Sequence, residues 1–134
     1  MKVIVDSTVW SLLLRRSKSM ISPHSKALSD LIKDNRVVII GPIRQELLSG
    51  IRDDVQFQKL KNKLDGWSDL PIQSEDYVRA AQHFNICRAR GIQGTSTDFL
   101  ICAVAERYNL SILTTDKDFQ QYASVIAIKL LLQP

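Results

Sequence analysis

The 134-residue chain has few cysteines and histidines, and these shortages argue against several kinds of metal and disulfide site. Its two cysteines, Cys87 and Cys102, fall within helical patterns and lack metal-ligand spacing, so we expect buried free thiols rather than a disulfide framework. Neither His24 nor His83 has a Cys or His three or four residues away. We therefore expect both histidines at the surface or at an interface rather than in a zinc site.

Long hydrophobic runs are also absent from the sequence. No apolar stretch approaches the roughly 20 residues that a membrane-spanning helix needs. The chain starts with a strand-like segment rather than with the charged and apolar regions of a signal peptide. A mean hydropathy of −0.06 is typical of a soluble protein. We therefore expect a cytoplasmic protein with a single domain, residues 1–134.

The charge balance is moderately basic, with 18 Lys and Arg against 14 Asp and Glu and a net charge of +4. If several of the acids are concentrated in one pocket, the remaining surface is more basic than this net value suggests. A basic surface around an acidic, metal-filled pocket suits a polyanion whose backbone approaches the metal. A simple contribution to solubility is the alternative interpretation of the same excess.

Short β-branched runs alternate with helical patterns along the chain, which predicts an α/β fold. We expect an α/β/α sandwich with a mostly parallel four- to five-stranded sheet. The run at 67–72 contains Asp69 and Pro71 and is a poor strand, so we place it at the sheet edge. The predicted strands are 2–5, 36–40, 67–72, 111–114 and 124–128. The predicted helices are a short helix that carries Val9 to Leu14, a second at 25–34, a helix bearing Glu46, two more at 53–64 and 74–90, and an apolar, centrally buried helix after Asp98.

Four acids lie near the predicted strand ends or at the start of a following helix. Asp6 ends the first strand, Glu46 follows the second after one short turn, Asp98 opens an apolar helix, and Asp116 follows the strand at 111–114. Ligands of parallel sheets bind just beyond the carboxyl ends of the strands, so these acids are expected to converge. Crowded like charges need a cation, and all-oxygen ligands select Mg²⁺ or Mn²⁺.

Each acid also has a purely structural interpretation. Asp6 and Asp116 are suitable helix-capping residues, Asp98 completes a Thr-x-x-Asp capping box with Thr95, and Glu46 suits an exposed helical position. Taken together, four acids at one edge of a sheet suit metal-assisted hydrolysis of a phosphodiester better than chance placement. Hydroxyl side chains surround the same edge, where capping roles compete with the orientation of water or phosphate. They are Ser7, Thr95, Ser96, Thr97, Thr114 and Thr115.

The segments that carry these acids resemble, in order and spacing, the successive motifs of PIN-domain nucleases. The chain's size and motif order are similar to those of the VapC toxins of bacterial toxin–antitoxin pairs. The resemblance implies that Asp6, Glu46, Asp98 and Asp116 bind the metal, and that Asp118 is an auxiliary acid. It also implies Mg²⁺- or Mn²⁺-dependent endoribonuclease activity in a homodimer. A cognate VapB-like antitoxin is expected to wrap the toxin with its C-terminal tail and block the pocket.

The chain departs from this pattern in two places: Cys102 stands where alanine is more usual, and the residues before Asp98 are Gly94-Thr-Ser-Thr. A non-catalytic RNA-binding protein on the same fold is one alternative function. A phosphatase with Asp6 as nucleophile is a weaker alternative, because Thr8 replaces the second acid of its Asp-x-Asp motif.

A hypothetical dimer surface lies on the first helix. It consists of Trp10, Leu13 and Leu14, with Ile21 beyond the helix, because so apolar a short helix seldom hides all its faces. Burial in the core is the competing interpretation for each of these residues. The sequence does not indicate which class of RNA is the substrate.

Overall fold

The structure is a computed structural model that describes residues 1–14 and 22–134. Within those residues, four parallel strands form one sheet in the order β2-β1-β3-β4, and seven helices surround it. The α/β class and the parallel sheet are confirmed. The strands are β1 Val3–Val5, β2 Val37–Val38, β3 Ser111–Leu113 and β4 Lys129–Leu130.

The helices begin where the sequence offers capping groups. Ser22 and Ser25 form a reciprocal capping box before α2, and the Asp53 side chain accepts from the Gln56 N–H at the start of α4. Gly91, at φ +75°, follows α5 in the left-handed conformation that glycine adopts without strain. The helices are α1 Ser7–Leu14, α2 Pro23–Lys33, α3 Gly41–Leu48, α4 Asp54–Leu64, α5 Ser74–Ala89, α6 Ser96–Tyr108 and α7 Asp118–Ala123.

The central strand of the sheet positions the candidate site. Strand β1 lies between β2 and β3, with Val3 paired to Val37 on one side and to Ser111 on the other, and it is fully buried. Helix α6 is buried from Phe99 to Ala105, as its apolar sequence predicts. Because the strands are parallel, the segments after β1 and β3 emerge side by side at one edge.

The C-terminal part of the sheet differs from the prediction. The strand predicted at 124–128 is wrong; the pairing strand is Lys129–Leu130. The N–H groups of Val125 and Ile126 donate to the Tyr122 carbonyl at 3.0 and 2.9 Å, which extends the turn at the end of α7. From this turn, the Ile126 side chain is buried in the core. The β-branched run therefore serves the core without entering the sheet.

The edge segment at 67–72 forms very little sheet. Asp69 makes a single parallel bridge with Ile39, and the Leu70 N–H donates to the Ile39 carbonyl at 2.9 Å. The contact lies beside β2, the edge strand, as expected. Arg44 holds the segment there by donating to Asp69 Oδ1 at 2.9 Å.

Two surface predictions are wrong. His83 is only 1% exposed, and among the described residues neither of its ring nitrogens has a hydrogen-bond partner. Trp10 is also 1% exposed and packs edge-on against Trp67, so it belongs to the core rather than to a dimer surface. Leu13 is 37% exposed, and Ile21 lies outside the described residues.

The state of the two cysteines agrees with the prediction. Cys87 and Cys102 are buried free thiols, as predicted. Across the described ranges, no helix has the length and apolar character required to span a membrane.

Candidate metal centre

Asp6 is the most constrained of the four candidate ligands. Its backbone N–H donates to the Leu113 carbonyl at 2.9 Å, so the residue continues the pairing of β1 with β3. The residue is 5% exposed. Its Oδ2 accepts two hydroxyl hydrogen bonds, from Thr8 Oγ1 at 2.9 Å and from Thr114 Oγ1 at 2.8 Å. The orientation of this carboxylate is therefore set by residues that follow two neighbouring strands.

The two threonine hydroxyls are themselves fixed by backbone groups. The Thr115 N–H donates to Thr8 Oγ1 at 3.2 Å, and the Asp116 N–H donates to Thr114 Oγ1 at 3.0 Å. Because each hydroxyl oxygen accepts from an amide, its own proton is directed to Asp6. Thr114 thereby links the Asp6 carboxylate to the backbone of a second candidate ligand.

Glu46 approaches this group from α3. It is exposed, and its Oε1 accepts a hydrogen bond from the Ser7 hydroxyl at 2.7 Å. Ser7 is buried and directly follows Asp6 in the chain. Asp116, the third candidate ligand, follows β3. Its Oδ1 accepts a hydrogen bond from the Asp118 N–H at 2.9 Å, and this bond begins the turn into α7.

Asp98 lies in the first turn of α6, and the predicted cap is present. Its N–H donates to Thr95 Oγ1 at 3.1 Å, which is one half of the predicted capping box; the reciprocal bond from the Thr95 N–H to the Asp98 carboxylate is not found among the described residues. The side chain has a separate contact: Asp98 Oδ2 accepts from the Tyr122 hydroxyl at 2.8 Å. Capping uses the backbone of Asp98, and its carboxylate remains available for other roles.

Burial and mutual repulsion shift the pKa values of two of these acids upward. Burial raises the pKa of Asp6, against the opposing effect of the Thr114 and Thr8 hydroxyls, and the charge of Glu46 raises it further. Burial also raises the pKa of Asp98, with further contributions from the charges of Asp116 and Asp6. The candidate ligands therefore influence one another electrostatically, although they come from four separate segments.

The oxygen donors fit a hard divalent cation. Among the described residues, no lysine or arginine lies within ion-pairing distance of Asp6, Glu46, Asp98 or Asp116, whereas Asp69, Asp76 and Glu106 do have basic partners. Asp6 is buried, and a buried carboxylate without a basic partner favours a bound cation. Within the part of the chain that the structure describes, no three Asp, Glu, His or Cys side chains are close enough together to enclose an ion. Electrostatic effects link Asp6 to Glu46 and Asp98, and Asp98 to Asp116, but these acids do not form a closed coordination shell among the described residues.

Two residues of this region were not recognised in the sequence as parts of the site. From the sequence, Thr8 is only a departure from an Asp-x-Asp motif, and no role is predicted for Tyr122. One signal for Tyr122 was available, since it lies four residues after Asp118 and so shares a helix face with it. Ser7 and Thr114 had been identified among the hydroxyls at the sheet edge, and both contact a candidate ligand.

Comparison with known proteins identifies the family. The model of the PIN domain matches residues 3–125 of this chain. The chain belongs to the PIN-domain family. Among curated proteins it is similar to Ribonuclease VapC11 of Mycobacterium tuberculosis and to VapC ribonuclease Mb1587 of Mycobacterium bovis. Each is 27% identical over 125 residues, which cover 92% of this chain and 92% of the relative.

Solved structures show the same PIN fold. FitAcB from Neisseria gonorrhoeae matches with a TM-score of 0.75 and 18% identity over 97% of this chain and 96% of that chain. VapBC2 from Rickettsia felis, bound to a DNA fragment from its promoter, matches with a TM-score of 0.77 and 15% identity over 97% of both chains. The resemblance noted in the sequence is confirmed at the level of family and fold.

Proposed function

We propose that this PIN-domain protein is a divalent-metal-dependent endoribonuclease and the toxin of a toxin–antitoxin pair. The observation that carries the proposal is the buried Asp6 carboxylate, fixed by Thr8 and Thr114 beside other acids that have no basic partner among the described residues. The relatives named VapC ribonucleases support the activity and the RNA substrate. The structural likeness to a VapBC2 complex adds support for an antitoxin partner.

In this proposal Asp6 and Asp98 are the principal ligands of Mg²⁺ or Mn²⁺. Glu46 and Asp116 complete the ligand set or accept a proton, and Asp118 is auxiliary. A bound divalent ion lowers the pKa of a coordinated water and offsets the charge that builds up on the phosphate oxygens. Glu46, which is exposed, and Asp116, which is partly exposed, would complete the ligand set of the ion, while the Asp6 carboxylate is already held by its hydrogen bonds.

The chain's own residues have three tasks in this reaction. Thr8 and Thr114 hold Asp6 through Oδ2, which keeps one principal ligand in a fixed orientation. Ser7 restrains Glu46 next to it. Lys117 lies between Asp116 and Asp118, is exposed, and is a suitable contact for a flanking phosphate of the RNA. Contacts to phosphate carry no sequence information, so this rim leaves the choice of RNA to other parts of the surface.

Inhibition by an antitoxin follows from the same electrostatics. An arginine of a VapB-like partner is expected to pair with the carboxylates that bind the metal, while apolar residues of the partner fill the groove beside them. The antitoxin and Mg²⁺ would then compete for one site. We further propose that the toxin is a cytoplasmic homodimer.

The test compares three proteins: the parent, Asp98→Asn and Asp30→Asn. Asp30 is an exposed acid of α2 that pairs with Lys26, and it serves as the control for loss of one surface charge. We expect the parent and the control to cleave RNA in Mg²⁺ or Mn²⁺, to lose activity in EDTA, and to arrest growth when expressed without antitoxin. Asp98→Asn should fold, fail to cleave and leave growth unaffected.

Several outcomes would contradict the proposal. Cleavage that persists in EDTA, or cleavage by Asp98→Asn at the parental rate, would refute the metal-site assignment. RNA binding without cleavage by the parent would favour the non-catalytic alternative. A phosphoryl group trapped on Asp6 would favour the phosphatase alternative, because direct attack by water leaves the aspartate unmodified.

A further inference from the structure

Tyr122 is a buried residue that contacts one of the proposed metal ligands. It is 0% exposed, and its hydroxyl donates to Asp98 Oδ2 at 2.8 Å. The ring packs against Phe99, with 4.8 Å between ring centroids, and against Phe119, with 5.1 Å. Contacts on two sides hold the ring in place, so the hydroxyl has little freedom to leave the carboxylate.

Gly94 provides the space that this contact needs. A Cβ atom at position 94 would lie 2.4 Å from the Tyr122 hydroxyl oxygen and 2.8 Å from two ring carbons of Phe99. Both aromatic residues are fully buried, so neither can move aside at low cost. Glycine is required here for steric reasons: only a residue without a side chain lets the tyrosine reach Asp98.

Helix α7 connects Tyr122 to the other side of the candidate centre. The helix begins at Asp118, whose N–H donates to Asp116 Oδ1 at 2.9 Å, and Tyr122 lies one turn further along. Asp98 is therefore joined by α7 to the turn that carries Asp116.

We propose that Tyr122 is a positioning residue that fixes the Asp98 carboxylate for the divalent ion, with Gly94 as the residue that makes this contact possible. This inference rests on the proposed function. Hydrogen-bond partners of metal ligands commonly set ligand orientation in this way. The competing explanation is that a buried tyrosine hydroxyl simply needs an acceptor, in which case Tyr122 contributes stability alone.

Tyr122→Phe separates the two explanations, because it removes the hydroxyl and keeps the ring. The matched control is Tyr108→Phe on α6, which also removes one tyrosine hydroxyl, here one that donates to the Pro71 carbonyl at 3.0 Å. Mn²⁺ affinity is measured by calorimetry without RNA, and the fold is checked by circular dichroism and thermal unfolding. For a positioning role we expect Tyr122→Phe to weaken Mn²⁺ binding about 10- to 100-fold and Tyr108→Phe to leave it unchanged.

Gly94→Ala tests the same contact without removing the hydroxyl. It should weaken Mn²⁺ binding in the parent, and it should weaken binding much less when Tyr122→Phe is already present, because the clash with the hydroxyl is then gone. Its clash with Phe99 remains in both backgrounds and lowers stability in both. Fully additive losses of affinity would show that Gly94 does not act through the Tyr122 hydroxyl.

The outcomes separate the proposed function of the protein from the positioning role of Tyr122. If the parent itself binds no Mn²⁺ and cleaves no RNA, the proposed function is wrong. If the parent binds Mn²⁺ and Tyr122→Phe binds it equally well or more tightly, the positioning role is overturned while the proposed function stands. Equal weakening by Tyr122→Phe and Tyr108→Phe would also overturn it, because only a general effect on stability would then connect the two variants.

Discussion

Replacing Thr114 by valine should cost stability out of proportion to the loss of one hydroxyl. Thr114 is 1% exposed, and its hydroxyl is shared: it donates to Asp6 Oδ2 at 2.8 Å and accepts from the Asp116 N–H at 3.0 Å. Valine has nearly the same shape, so the change removes both hydrogen bonds without creating a cavity. The perturbation is therefore electrostatic rather than steric.

The size of the effect follows from the two lost hydrogen bonds. A hydrogen bond to a charged group contributes about 1.5–3 kcal/mol, and a buried amide left without a partner costs about 1–3 kcal/mol. The Asp116 N–H is only partly buried, so we take the lower part of the second range and expect a total of roughly 3 kcal/mol. For 134 residues, an unfolding entropy of about 2.1 cal/mol/K per residue converts this to a drop in Tm of roughly 10 °C.

Urea denaturation of the metal-free protein at several pH values is the assay. Thr114 stabilises the ionised form of Asp6, so its contribution is present at neutral pH and declines as the solution is acidified through the folded pKa of Asp6. Burial raises that pKa above its ordinary value of 3.8, so the decline begins at a higher pH than for an exposed aspartate. The part that persists in acid is the cost of the unpartnered Asp116 N–H.

Thr114→Ser is the matched control, because serine keeps the hydroxyl and loses only a methyl group. We expect it to retain the pH dependence of the parent. A valine variant that is as stable as the serine variant at pH 7 would refute the hydrogen-bond network around Asp6. A large loss of stability that is independent of pH would instead assign the effect to the Asp116 N–H and to packing at position 114, and would refute the contribution of the Asp6 contact.

Three further predictions concern the acids and the proposed dimer. Asp6→Asn should abolish metal-dependent cleavage, yet at pH 7 in EDTA it should be as stable as the parent or more stable. The raised pKa of Asp6 shows that its ionisation is unfavourable in the folded state. A variant that is clearly less stable than the parent in urea denaturation would contradict this. Asp76→Ala should lower Tm more than the exposed control Asp30→Ala. Arg107 lowers the pKa of Asp76, so the difference between the two Tm losses is present at pH values above the ordinary pKa of 3.8 and disappears as the pH falls through the lowered pKa. Equal Tm losses in the two variants would be inconsistent with a structural ion pair. Leu13→Glu should convert the proposed dimer to a monomer in light scattering, and a parent that is already monomeric at high concentration would remove the dimer.

Much of the fold was predictable because β1 and β3 are short, apolar and followed by acids. The segments that follow parallel strands emerge at one edge of the sheet, and this rule alone associates Asp6 with Asp116. The cap of α6 was also predictable, because Thr95 stands directly before an apolar helical pattern. Local chemistry and strand direction determine these features, so one sequence suffices to predict them.

The misplaced last strand shows the limit of local patterns. Residues 124–128 have the β-branched composition of a strand, yet the turn that follows α7 uses Ile126 to cover the core and delays pairing until Lys129. His83 was misplaced for a similar reason, since nothing near it in the sequence indicates that α5 and α6 bury it between them. Tertiary packing decided both positions.

The Tyr122 contact was unpredictable for a different reason. It depends on a glycine at position 94, a carboxylate at position 98 and a helix that begins twenty residues after that carboxylate. Each of these residues has an ordinary local explanation. The contact between them arises only when the fold brings the three segments together.

The pairing of β1 with β3 has a consequence for how the protein is synthesised. Asp6 belongs to the first strand, whereas Thr114, which fixes its carboxylate, lies 108 residues later. Such long-range pairing forms late, because the intervening chain must exist before the two segments can meet. A growing polypeptide that has not reached β3 therefore lacks the partner strand, the Thr114 hydroxyl and Asp116. Interrupted translation would therefore release fragments that lack the complete candidate site, and the proposed nuclease could become active only after synthesis has passed β3.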